Sequence, residues 1–221
     1  MKPLARQISD AASWFAEVAS KLSVRRDNAP IATVDRLCAF AATRAALITQ
    51  KKLYGYLKER MGTSYPRMFK DELFARSIHI ATMHVFAASL SDLTIHVVAH
   101  VGAGSALGPS ELRRMAVECY KFGIAENAEQ APDRAAPALW LAAFERRLDD
   151  TSWENVAAGA SAFTESPKAL VKWAPISDEY KKYDREIVEN SIRFAWNEIR
   201  EDFRKRLDPA AVAADWTSNS G

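Results

Sequence analysis

Apolar residues recur at helical spacing through most of the chain. Ile8, Phe15, Val18 and Leu22 fall three, four and seven residues apart, which predicts a first helix ended by Arg25-Arg26-Asp27-Asn28-Ala29-Pro30. Between Thr33, a residue suited to an N-cap, and Gly62, one suited to a C-cap, Leu37, Phe40, Ala41, Leu47, Ile48, Tyr54, Leu57 and Met61 trace a broad apolar stripe. A helix of that length is about 45 Å long, against a radius of gyration of roughly 17 Å for a compact chain of this size. It must therefore run along most of the molecule.

Beyond Thr63-Ser64-Tyr65-Pro66, the segment from Arg67 to about Val101 is apolar almost all the way round, which places it at the centre. Gly102, Gly104 and Gly108-Pro109 interrupt it, and Ser110 is the expected cap of the next helix, in which Leu112, Met115, Cys119 and Phe122 share a face. That helix is expected to end near Ala131-Pro132, before a short one over 137–148. The stretch 149–177, with Trp153, Phe163 and Trp173 among Gly159, Pro167 and Pro175, reads as irregular.

The last long helix begins at Ser177. Asp178 and Glu179 in its first turn and Arg204, Lys205 and Arg206 in its last complement the helix dipole. Ile187, Ser191, Phe194 and Glu198 on one row, beside Val188, Ile192 and Ile199, are read as its apolar face, opposite a solvated face of mixed charge. The expected fold class is all-α: an elongated helical bundle with a long, largely buried central helix (about 67–101) and three other main helices. Residues 1–207 form the single expected domain and 208–221 a flexible C-terminal tail.

Composition narrows the functional classes. The 221 residues are 48% apolar and 26% charged, with 8 Gly and 9 Pro, which excludes collagen-like and low-complexity chains. Thirty Lys and Arg against 28 Asp and Glu leave +2, too little for dedicated nucleic-acid binding. Cys38 and Cys119 lie far apart without CxxC spacing, so reduced thiols and a soluble, cytoplasmic protein are expected. Met1-Lys2-Pro3-Leu4-Ala5-Arg6 is followed by Asp10, Glu17 and Lys21, which break any leader-like apolar core. The polar residues His79, His84, Ser89, Ser91, Asp92, Thr94, His96 and His100 make Ile78 to Val101 a core helix rather than a transmembrane segment.

All four histidines, His79, His84, His96 and His100, lie in that stretch. On a helix Asp92, His96 and His100 stand at i, i+4 and i+8 and form one polar row. Such a row can offer two ligands and a third or orienting carboxylate to a divalent metal, with Glu72, Glu118, Glu126 or Glu189 as outside assistants. The HExxH glutamate is missing, since Val97-Val98-Ala99 fills the interval, and no Glu-x-x-His occurs, so neither a zinc protease nor a di-iron bundle is matched. The plain alternative is a row of core polar groups bonded to a neighbouring helix.

Two further readings use the same region. Leu93, Ile95, Val97, Ala99 and Val101 alternate with Thr94, His96, Val98 and His100 as in a strand and lead into the loop Gly102–Gly108, a phosphate-cradle arrangement spoiled by Leu107 at the third glycine and by the missing P-loop lysine. Ser105, close to His100, offers an esterase-like nucleophile, although Ala103 and Leu107 occupy the glycine positions of GxSxG. The function expected from these features is a non-enzymatic bundle that mediates protein–protein interaction or self-association as a homo-oligomer, with no cofactor favoured. The alternative is a small-molecule or metal-dependent enzyme, a hydrolase or esterase, built on Asp92, His96 and His100.

Overall fold

The computed structural model describes residues 28–62, 71–159 and 161–219, so the expected first helix at 8–22 lies outside them. Among the described residues there are eight α-helices and no strands. They are α1 (Val34–Met61), α2 (Glu72–Ala103), α3 (Pro109–Ala125), α4 (Ala136–Asp149), α5 (Trp153–Ala157), α6 (Glu165–Trp173), α7 (Asp178–Arg206) and α8 (Pro209–Asn219), with one 3-10 turn at Ala128–Gln130. The fold is an all-α bundle, richer in helices than the four main ones expected.

Local chemistry sets most helix ends. Thr33 caps α1 by accepting from the Arg36 N–H, and Gly62 closes it with φ of 50°. Asp71 caps α2 through the Phe74 N–H, and residues 67–70, where the helix was expected to start, lie outside the described ones. The expected cap at Ser110 is displaced. Gly108 is the N-cap of α3, Pro109 follows it, and the Glu111 carboxylate accepts the Gly108 N–H, because proline already supplies helical φ and no donor is lost there. Ser177 precedes α7 as expected, and Arg204, Lys205 and Arg206 occupy its last turn.

The central element is α2, which packs against α1, α3, α4, α5, α6 and α8. It is helical throughout, so the strand reading of Leu93 to Val101 is excluded, and with it the strand-to-glycine-loop phosphate cradle. Its apolar circumference finds a neighbour on every side, leaving Val85, Phe86, Leu90, Leu93, Val97, Val98 and Val101 fully buried. By length and composition alone α2 would be long and apolar enough to cross a membrane, and 83% of its most apolar window is covered by the rest of the chain. In contrast α7 lies at the periphery, across α1 and α6.

Three expectations are corrected here. Cys38 and Cys119 are joined in a disulfide that ties α1 to α3, with Cα atoms 4.5 Å apart despite a separation of 81 residues. Two lone cysteines carry no spacing signal when the helices that bear them become neighbours. The pairing removes the ground on which reduced thiols, and so a cytoplasmic setting, were expected. The stretch 149–177 holds two helices, α5 and α6, too short to show a period in sequence. The tail expected to be flexible is helix α8 from Pro209, capped where Asp208 accepts the Ala211 N–H and docked by buried Val212 and Trp216. Asp215 secures it by accepting the Val34 N–H.

Candidate functional site

The polar row on α2 exists, but its members face different partners. Asp92 is fully buried. Its Oδ1 accepts from Arg147 Nη1 at 2.7 Å and from the Glu165 N–H at 3.1 Å, and its Oδ2 accepts from the Ser166 N–H at 2.8 Å. The carboxylate therefore sits on the open N-terminal amides of α6, where a negative charge is favoured. Burial pushes the Asp92 carboxyl up from its usual range, opposed by the Arg147 guanidinium and by the bonds from Ser166 and Glu165.

Arg147 extends this clamp. It also donates to Ser91 Oγ at 2.7 Å, to Thr164 Oγ1 at 3.2 Å and to the carbonyl of Ala162. Ser166 Oγ in turn accepts from Trp196 Nε1 at 3.1 Å, so α2, α4, α6 and α7 meet in one buried network. Asp92 is thus committed to holding α6 and neither orients His96 nor points at a shared metal position.

His96 is 3% exposed and its ring lies among His100, Phe163 and Phe203, with centroids 4.2, 5.2 and 6.0 Å away. Its Nε2 has no hydrogen-bond partner. Burial lowers its pKa from 6.5 to about 3, helped by the charges of His100, Arg200 and Arg204, so the ring is neutral near physiological pH. His100 Nδ1 lies 2.9 Å from the His96 carbonyl, which requires that nitrogen to be the N–H donor. Among the described residues no three of His, Cys, Asp and Glu come together as a metal-binding group. Glu72, Glu118 and Glu126 are exposed, and Glu189 pairs with Arg193 on α7.

Ser105 Oγ accepts the Leu107 N–H at 3.4 Å, a turn contact within its own loop. No hydrogen bond joins Ser105 to His100, whose Nδ1 donates to the His96 carbonyl, so the two are not engaged as a nucleophile and base. His84 is held between two tryptophans. It accepts from Trp140 Nε1 at 3.2 Å and stacks on Trp173 with centroids 3.5 Å apart, and burial, then Lys172, lowers its pKa against the opposing pull of Asp133.

Two features were not anticipated from sequence. The first is the outer face of α7. The row Ile187 and Phe194, expected to be apolar and core-facing, is turned to solvent at 74% and 73% exposure, while Val188, Ile192, Trp196, Ile199 and Phe203 form the core face. Tyr180 and Tyr183, at 52% and 73% exposure, continue the outer row toward the N-terminus of α7. The signal was present in the sequence as spacings of three, four and seven from residue 180 to 194, but two apolar rows on one helix do not say which is inside.

The second is a groove of about 510 Å³ between α1 and α7, bordered by α6. Lys51, Lys52, Gly55, Tyr56, Glu59 and Arg60 line it from α1, and Asp184, Ile187, Val188 and Ser191 from α7, so its charges are two lysines and one glutamate besides the Arg60–Asp184 pair. Arg60 grips both oxygens of buried Asp184, and the Tyr56 hydroxyl donates to the same carboxylate at 2.9 Å. Comparison of this chain with protein-family models, with curated proteins and with solved structures finds no match.

Proposed function

We propose that this protein is a self-associating helical-bundle module, and that the outer face of α7 pairs with the same face of a second copy in antiparallel orientation. The observation that carries this reading is the row Tyr180, Tyr183, Ile187 and Phe194, four large apolar side chains exposed along one line of a helix whose opposite side is already buried. Their spacing is that of the a and d positions of a heptad, which keeps a seam facing a partner helix over about 21 Å. Asn190 and Asn197 fall on the same seam.

Charge selects the orientation. The flanking positions at heptad spacing are Glu179, Glu186, Arg193 and Arg200, acidic toward one end and basic toward the other. When two copies of α7 run antiparallel, equivalent flanks meet in reverse order, so Glu179 and Glu186 of one copy face Arg200 and Arg193 of the other. A two-fold axis near residues 189 and 190 produces this pairing twice, as an isologous dimer requires. The Asp92, His96 and His100 row offers the enzymatic alternative no comparable support, since its carboxylate is consumed by Arg147 and α6.

Sedimentation velocity of the full chain from about 1 to about 100 μM is the test, because a seam of a few apolar side chains gives micromolar association. A dimer is expected, and Ile187→Glu with Phe194→Glu should render it monomeric with unchanged helicity, its melting temperature matching that of the wild type at concentrations where the wild type is dissociated. Glu186→Arg should weaken the dimer, and adding Arg193→Glu should restore it. A monomer across the whole range, or a dimer indifferent to these substitutions, overturns the proposal. So does a monomer that the double Glu variant destabilises, because the row would then be covered by another part of the same chain.

A further inference from the structure

The groove between α1 and α7 touches the pairing seam at Ile187, which borders both, and at Tyr180, whose ring lies 5.0 Å from the Arg60 guanidinium, but its chemistry is of a different kind. Asp184 is neutralised by Arg60 and Tyr56, so its charge is already answered within the protein. The amines are less fully matched. Lys52 Nζ donates one hydrogen bond, to Ser191 Oγ at 2.9 Å, out of the three an ammonium can give. Lys51 Nζ lies 3.9 Å from a Glu198 carboxylate in a largely exposed pair, which contributes little. Beside these amines the groove is walled by Leu170, Ile187 and Val188.

Gly55 adds a second, independent observation. It stands in the interior of α1, where glycine is less favourable than alanine, on the groove wall. It has no packing reason to be there, since a Cβ at that position would meet nothing within 4 Å. Its effect is to keep that wall free of a side chain.

We infer that this groove is a binding site for a small amphipathic organic anion, a carboxylate with an aliphatic or aromatic body, whose charged group is taken by Lys52 with Lys51 beside it and whose body lies along Leu170, Ile187 and Val188. Apolar lining with a few placed charges is the usual composition of small-molecule sites. Partial burial of Lys52, with Lys51 adjacent, lowers its pKa, and the negative charge of an incoming anion favours the ammonium form against both causes.

Equilibrium dialysis of the full chain against radiolabelled octanoate tests the inference, with acetate and octylammonium as competitors. Octanoate should bind once per chain, acetate should compete at least about tenfold more weakly for want of the apolar body, and octylammonium should not compete. Lys52→Met should weaken binding about tenfold or more through loss of a charged hydrogen bond, and Gly55→Leu should block it. Both substitutions leave the Tyr180, Tyr183 and Phe194 seam intact, so sedimentation of the same variants separates failure of this site from failure of the dimer. No octanoate binding, equal competition by octylammonium, or binding unaffected by both substitutions overturns the inference.

Discussion

Replacing His96 with a side chain that cannot titrate should remove a defined part of the protein's acid sensitivity. In the folded chain burial holds the His96 pKa at about 3, with His100, Arg200 and Arg204 adding to the effect, whereas the unfolded chain returns it to 6.5. A histidine whose folded pKa is depressed contributes stability that is complete above the unfolded pKa and is lost as pH falls through the window from 6.5 toward 3. Inside that window each pH unit costs about 1.4 kcal/mol, so the loss at about pH 5 is roughly 2 kcal/mol relative to neutral pH. For a chain of this size that is a fall in melting temperature of about 4 to 8 °C attributable to one ring. The assay is thermal unfolding by circular dichroism at about pH 7.5 and pH 5, for the wild type and for His96→Phe, which keeps a ring against Phe163 and Phe203. His96→Gln serves as a second non-titrating variant. The acid-induced drop should be smaller in both variants by the stated amount, the remaining groups contributing equally to all three proteins. Identical drops would refute the reasoning and show that His96 takes a proton while folded.

The buried clamp and the disulfide give two further tests. Asp92→Ala strands the Arg147 guanidinium and two α6 amides, and Arg147→Met strands a buried carboxylate. Each should cost about 3 to 5 kcal/mol in urea unfolding, with the double variant well short of the sum, and additive losses would show that the two charges are not coupled. Reducing the Cys38–Cys119 bond releases an 81-residue separation and should lower stability by about 4.5 kcal/mol on the chain-entropy account. The check is the denaturation midpoint with and without reductant, against Cys38→Ala/Cys119→Ala, which should match the reduced protein. An unchanged midpoint would mean that the linkage adds nothing to the fold.

What the sequence determined by itself was local. The ends of α1 at Thr33 and Gly62, the start of α7 at Ser177 and the central place of α2 all follow from interactions within about a turn of each residue or from the apolar content of one segment. Short helices escaped notice because five or nine residues hold too few periods, and α8 because its anchors, Val212 and Trp216, stand among alanines and polar residues. The tertiary structure alone decided which faces meet. Asp92 was singled out as a ligand beside His96, yet its partners Arg147, Glu165 and Ser166 lie 55 to 74 residues away. The same holds for Cys38 and Cys119, and for the choice between the two apolar rows of α7, one sealed against Phe40 through Phe203 and the other left open at Ile187 and Phe194. Helical period records that a face is apolar, but burial of that face is settled only by the neighbour that arrives to cover it.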